Sequence, residues 1–143
     1  MKSFIIGFLI LIALLGFLNL VKNKTEKIKV GETTINVEVA DTVKKQLTGL
    51  SYRKSLPKDN GMLFVFPEEA RYGFWMKDMN FPLDIAWIDK NKKIVLIKKN
   101  LSPDTYPKIF GTSTLSKFVL ETNADFFDSH NINVGDRLEI KDL

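Results

Sequence analysis

The rhythm of apolar and polar positions changes sharply about twenty residues into the chain. Residues Phe4 to Val21 read FIIGFLILIALLGFLNLV, without a charge and with Asn19 as the one polar side chain. At ~1.5 Å per residue, a helix over this run is ~27 Å long, close to the hydrocarbon thickness of a bilayer. A helix buried in a protein core is normally amphipathic, whereas this run is apolar all round. A cleaved signal peptide would end in small residues, and here the run ends in Phe17-Leu18-Asn19-Leu20-Val21-Lys22. The pattern therefore predicts an uncleaved signal-anchor over residues 1–21, a polar linker over 22–27 and one domain over 28–143. Lys22, Lys24 and Lys27 after the run favour a cytoplasmic C-terminal side by the positive-inside count. A short apolar run with a basic start is, however, the usual export signal, and the expectation is a domain facing the cell envelope or exterior.

Beyond the linker the period shortens. IKVGETTINVEVA alternates around Gly31-Glu32, with Ile35, Val37 and Val39 on one face, which predicts a hairpin. Asp41 or Thr42 can cap a short helix through Val43–Leu47 that stops at Gly49, and Val43, Leu47 and Leu50 then share a face. After a loop from Ser51 to Asn60, MLFVF (62–66) reads as a strand buried on both sides. Phe74-Trp75-Met76 is a further apolar run. Leu83–Ile88, a turn at Asp89–Lys92 and Ile94–Ile97 form a second hairpin. Residues 100–116 make a long loop, Phe118–Leu120 a strand, Ala124–His130 a helical turn and Asp136–Lys141 a closing strand. Several short strands with two short helices predict a mainly β fold, an antiparallel β sandwich or partly closed barrel, preceded by one N-terminal transmembrane helix.

Composition removes much chemistry. The absence of cysteine excludes disulfides, thiolate nucleophiles and cysteine-based zinc sites, and a lone His130 excludes a multi-histidine metal site. The net charge of +4 is carried by lysines dispersed among acids, without the dense basic patch of a nucleic-acid binder. The partners expected are the membrane, through the N-terminal helix, and a small polar or glycan ligand, with no nucleic acid and no cofactor.

Gly49-Leu50, Gly61-Met62-Leu63-Phe64, Phe74-Trp75-Met76-Lys77, Pro82-Leu83-Asp84, Val119-Leu120-Glu121 and Gly135-Asp136 follow one another in an order and spacing that resembles the domain-of-unknown-function 192 family, also called uncharacterised protein family 0127. The resemblance runs from about residue 29 to the end. It implies a mainly β, sandwich-like domain, often secreted or membrane-associated, and no known activity. Two departures stand out. Asp78-Met79 occupies the place of the family's Asn-Thr pair, and Asp125 stands where relatives tend to carry Gly.

The candidate ligand-binding residues are Trp75, Lys77, Asp78, Asp84, Glu121 and Asn123. Asp84 lies between apolar residues, and a buried carboxylate must be paired or hydrogen-bonded, either by backbone amides or in a polar pocket. Glu121 follows an apolar strand, with Asn123 on the same face; the alternative is a strand end meeting solvent. Trp75 and Trp87, with Tyr72 and Phe74, offer aromatic platforms beside polar groups, unless the two tryptophans are core residues. If Asp84, Glu121 and Asp78 converge, they suit an oxygen-ligated cation, or an acid/base pair of glycosidase type. The expected roles are stacking for Trp75, charge for Lys77 and hydrogen-bond acceptance for Asp84 and Glu121. The leading expectation is a non-enzymatic binding module without catalytic or metal residues. The alternatives are a hydrolase using a carboxylate pair and a structural or protein-docking domain. A catalytic Ser-His-Asp set around His130 lacks a nucleophile elbow.

Overall fold

Alternation builds the first pair of strands, and the structure, a computed structural model, describes residues 25–111 and 113–140. The run expected to be a transmembrane helix lies outside them. Among the described residues no helix is long and apolar enough to cross a membrane. β1 (Thr25–Val30) and β2 (Thr33–Ala40) form the expected hairpin about Gly31. β1 begins inside the stretch read as linker. Next come α1 (Val43–Thr48), β3 (Asn60–Ala70), β4 (Leu83–Ile88), β5 (Ile94–Leu101), β6 (Ser116–Asn123), α2 (Phe126–Ser129) and β7 (Leu138–Glu139). A 3₁₀ turn at Pro103–Thr105 breaks the long loop.

The seven strands lie in one sheet, in the order β5-β4-β6-β3-β2-β1-β7. Two expectations need correction. The sheet is mixed, because β2 and β3 pair in parallel, with Glu38 opposite Met62. The intervening α1 and loop carry the chain back to the starting end of the sheet, as a parallel pair requires. The fold is also not two stacked sheets. The single sheet curls until its edges approach: Gly135 N–H donates to Ile94 O, Ile94 N–H to Asp136 O and Leu138 N–H to Lys92 O. The result is a half-barrel, the partly closed alternative.

Both faces of the sheet are covered. One carries Ile35, Val37, Leu63, Ala86, Ile88 and Leu120, packed with Phe127, Ile132 and Leu138. The other carries Met62, Phe64, Ile85, Trp87 and Val119, covered by Leu50, Leu56, Met76 and Phe110 from the loops. Burial on both sides explains why β4 reads LDIAWI, apolar apart from Asp84, and is buried throughout.

α1 departs from the amphipathic reading. Thr42 caps it through a hydrogen bond from Lys45 N–H, as expected, but none of its six residues is buried. Val43 is 72% and Leu47 81% exposed; of the three residues expected to share a buried face, only Leu50 is in the core. Polar links hold the helix instead. Gln46 Nε2 donates to Ala40 O at 3.2 Å and Val65 O at 2.9 Å, and Lys45 Nζ donates to Val39 O. Gly49 follows with φ 52° and closes the helix by donating its N–H to Lys45 O.

Candidate functional site

Strand register decides which candidates can meet. Asp84 lies opposite Thr122 and Ile85 opposite Glu121 across the β4–β6 pair. Neighbouring residues on a strand point to opposite faces, so Asp84 and Glu121 lie on opposite sides of the sheet. A carboxylate pair doing acid/base work across one bond is thereby ruled out for these two residues. Asp78 is in an exposed loop, where its Oδ2 accepts from the Tyr52 hydroxyl at 2.7 Å. The carboxylate cluster does not form. Among the described residues no group of three or more acids or histidines is placed to hold a metal ion.

Asp84 is fully buried and serves the backbone. Its Oδ1 accepts from Asn100 N–H at 2.8 Å and its Oδ2 from Phe127 N–H at 3.2 Å. Burial raises its pKa, while the amides of Asn100, Phe127 and Asp125 pull it back down. The β4–β5 register slips between Leu83 and Ile85, and Asn100 has φ 53°. Asp84 thus takes up an amide that the bulge withdraws from the ladder.

Asn123 also has a structural task. It lies on the Glu121 face, as expected, but its Nδ2 donates to Leu56 O at 3.0 Å and Pro57 O at 3.2 Å, fixing the loop before β3. Trp87 belongs to the core, with Nε1 donating to Tyr72 O. Trp75 is 49% exposed; its ring meets Tyr106 edge-on, and the Lys77 ammonium lies 5.8 Å from its centre.

Glu121 is different. It is 5% exposed, and its Oε2 has no hydrogen-bond partner. Burial pushes its pKa up from 4.5 to about 8, the positive charge of Arg53 opposing only part of that. Arg53 is itself engaged by Glu38 through two bonds, of 2.5 and 2.9 Å. The register places Glu38, Met62, Glu121 and Ile85 in one row on the same face. An unsatisfied buried carboxyl is costly and marks a place where a native structure keeps an unusual group.

Above Glu121 lies a small cleft of about 40 Å³, walled by Gly49, Ser51, Phe64, Phe74, Trp75 and Met79 and by the last turn of α1. It continues, through shared walls at Gln46, Leu47, Phe74 and Trp75, into a hollow of about 230 Å³ that adds Val43, Phe66, Tyr72 and Gly73. Phe64 and Phe74 meet edge to face at 4.8 Å. The cleft walls are tied together: the Ser51 hydroxyl donates to Lys77 O, Tyr52 N–H to Asp78 O, and Asn80 Nδ2 to Arg53 O. Of the six candidates, Glu121 and Trp75 therefore share a site and Lys77 borders it, while Asp78, Asp84 and Asn123 hold the frame. Sequence reasoning missed Gln46, Phe64 and Met79 as walls. Gly49, read as a helix stop, was the one signal of them: a Cβ there would lie 3.9 Å from Glu121 Oε2 and 3.4 Å from the Phe64 ring.

His130 is not placed to act as a base on Ser129, whose Oγ faces its Nδ1. Its Nδ1 lies 2.9 Å from Phe126 O, an acceptor that requires a proton on that nitrogen, and Ser129 Oγ also lies within bonding distance of Phe126 O. With Nδ1 protonated, the ring nitrogen facing Ser129 has no lone pair with which to take its proton.

A half-barrel with an outer layer of α1 and loops, and a buried acid with an unpartnered oxygen beside an aromatic cleft, defines a small β domain. The family described as Uncharacterized ACR, COG1430 (DUF192) matches residues 25–140, and the chain belongs to it. No protein with a curated description matches the chain. Among solved structures, one from Sinorhizobium meliloti 1021, provisionally described as a transcription regulator, superposes with a TM-score of 0.79 at 31% identity, covering 83% of this chain and 95% of that one. A protein of unknown function from Novosphingobium aromaticivorans DSM 12444 gives a TM-score of 0.75 at 26% identity over 85% of this chain and 89% of its own.

The family comparison also acquires a physical meaning. Asp125 and Asp78, the two positions at which the sequence departs from the pattern it resembles, have φ 65° and φ 55°. Both lie in the left-handed region that Gly, Asn and Asp enter most readily. These departures preserve a backbone conformation, and Asp78 does not enter the cleft.

Proposed function

We propose that the chain is a non-enzymatic binding module, held at a membrane by its N-terminal apolar run, that takes the polar end of a small ligand at Glu121. The observation that carries this reading is Glu121, which lines a cleft walled by Phe64, Phe74 and Trp75 and has one buried carboxyl oxygen without a partner. Small polar ligands are favoured over glycans. The cleft volume of about 40 Å³ is room for about three water molecules at the ~10–15 Å³ that each needs in a cavity. It admits a head group, not a sugar ring, and the rest of the ligand would lie along Trp75 and Tyr72. The provisional transcription-regulator description of the Sinorhizobium protein offers no competing site here, because the lysines lack a dense patch.

The reading is tested by a thermal-shift screen of small amines, amides, acids and sugars on the full-length chain in mild detergent. Hits are expected to lose their shift in Trp75→Ala and Glu121→Gln chains that remain folded by circular dichroism. A hit that shifts all three chains equally, or a screen without hits, overturns it.

A further inference from the structure

The chemistry of the cleft goes further than the presence of a polar point, and this step rests on the binding reading above. We propose that the cleft is a site for an alkylammonium group, with the cation on Glu121 and its apolar stem running out over Trp75. Three observations lead there.

First, the amide and hydroxyl donors of the lining side chains are already spent. Gln46 gives its amide protons to Ala40 O and Val65 O, Thr48 its hydroxyl proton to Lys44 O, and Ser51 its hydroxyl proton to Lys77 O. What remains for a ligand is the Glu121 carboxyl, which accepts from a cation once it has ionised, the Ser51 oxygen lone pairs and the Trp75 indole N–H at the rim. A phosphate, carboxylate or carbonyl would find few donors, whereas an ammonium finds the acceptors its three N–H groups need.

Second, the walls are aromatic. Phe64, Phe74 and Trp75 present ring faces and edges around one carboxyl, and a cation is attracted to such faces. Lys77 already lies over Trp75 from outside.

Third, the surrounding charges are matched to partners. On β2 and the loop after α1, Glu38 holds Arg53. On α1, Lys45 is bound to Asp41 and Val39 O. On the loop before β4, Asp78 is bound to Tyr52, and Lys77 lies over the indole. Glu121 is left as the acid whose charge an incoming cation would balance. The adjoining hollow of about 230 Å³, bounded by Leu47, Phe66, Tyr72 and Trp75, has the apolar character of a stem site.

Binding a cation requires Glu121 to ionise. Near neutral pH its proton is largely retained, so uptake of an alkylammonium releases a proton from the carboxyl to buffer. Affinity should then rise nearly tenfold per pH unit up to about 8 and level off above it.

The experiment is isothermal titration of the full-length chain in mild detergent with n-butylammonium, with n-butanol as the neutral isostere and with a capped lysine amide. Titrations run at pH 6, 7 and 8 in two buffers of different ionisation enthalpy. The expected result is butylammonium binding with close to one proton released at the lower pH values, at least tenfold weaker butanol binding, and loss of the cation preference in Glu121→Gln. Binding of the capped lysine as well assigns the site to protein or peptide side chains; binding of butylammonium alone assigns it to free amines. Butanol binding as tight as butylammonium, without proton release, overturns the cation assignment and leaves the binding reading intact. No binding by any probe overturns the assignment, and absence of hits in the wider screen overturns the binding reading separately. The wild-type proton count keeps the test decisive if the variant fails to fold.

Discussion

Glu121 should make the stability of the whole domain depend on pH. Its pKa is raised in the folded chain from 4.5 to about 8 by burial, so the folded state keeps a proton that the unfolded chain has lost. A group of this kind contributes its stabilisation in full below its unfolded pKa and loses it as pH rises through the folded value. Stability should therefore fall between pH 4.5 and about 8 and become flat above that. In Glu121→Gln, which cannot ionise, the decline should shrink, leaving the variant more stable than the parent at pH 9 by a few kcal/mol. Urea midpoints across that range check this, and parallel profiles for the two chains would sink it. Asp84, also raised by burial, adds a smaller decline common to both. At this scale the sequence was half legible. Asp84 and Glu121 announce themselves as acids inside apolar strands, and the reading that Asp84 serves backbone amides is what the geometry has. That only Glu121 lacks a partner depends on loops dozens of residues away, which no local pattern reports.

The elements are joined by side chains to backbone, and Asp84 is the clearest case. From β4 it reaches Asn100 at the bulge of β5 and Phe127 in α2. It thus ties a strand, its neighbour's irregular end and a helix on one face. Asp84→Ala leaves the buried Phe127 amide and the partly buried Asn100 amide without an acceptor, costing ~1–3 kcal/mol for the first and less for the second. The expected loss is ~2–5 kcal/mol in urea unfolding, with faster amide exchange at Asn100 and Phe127 while the centre of β6 stays protected. Uniform exchange across the sheet would show that the link is not local. Hairpins β1–β2 and β4–β5 were legible because alternation and turn residues are local signals. The parallel β2–β3 pairing was not, since it depends on where the chain returns after α1 and the loop to Asn60. Nor was the fate of α1: its spacing of Val43 and Leu47 looks amphipathic, yet Gln46 and Lys45 dock it by hydrogen bonds and leave those apolar side chains in solvent at the mouth of the hollow.

For the molecule as a whole, the proposed site and the proposed tether belong to different parts of the chain. β1 starts at Thr25, three residues after Lys22 closes the apolar flank, so a membrane-held domain would have little freedom to wander from the bilayer surface. The tether makes its own prediction. The full chain should sediment with membranes and be released by non-ionic detergent but not by high salt. Leu11→Lys combined with Leu14→Lys places two charges in the middle of the run, each costing ~2.5–3.5 kcal/mol at a helix centre, and should move most of the protein to the supernatant. Added protease should digest the domain in intact cells if it faces outward and spare it until lysis if the lysines after the run hold it inside. Wild-type chain that stays in the supernatant would remove the tether but leave the Glu121 cleft untouched, because every wall of that cleft lies between Gln46 and Glu121.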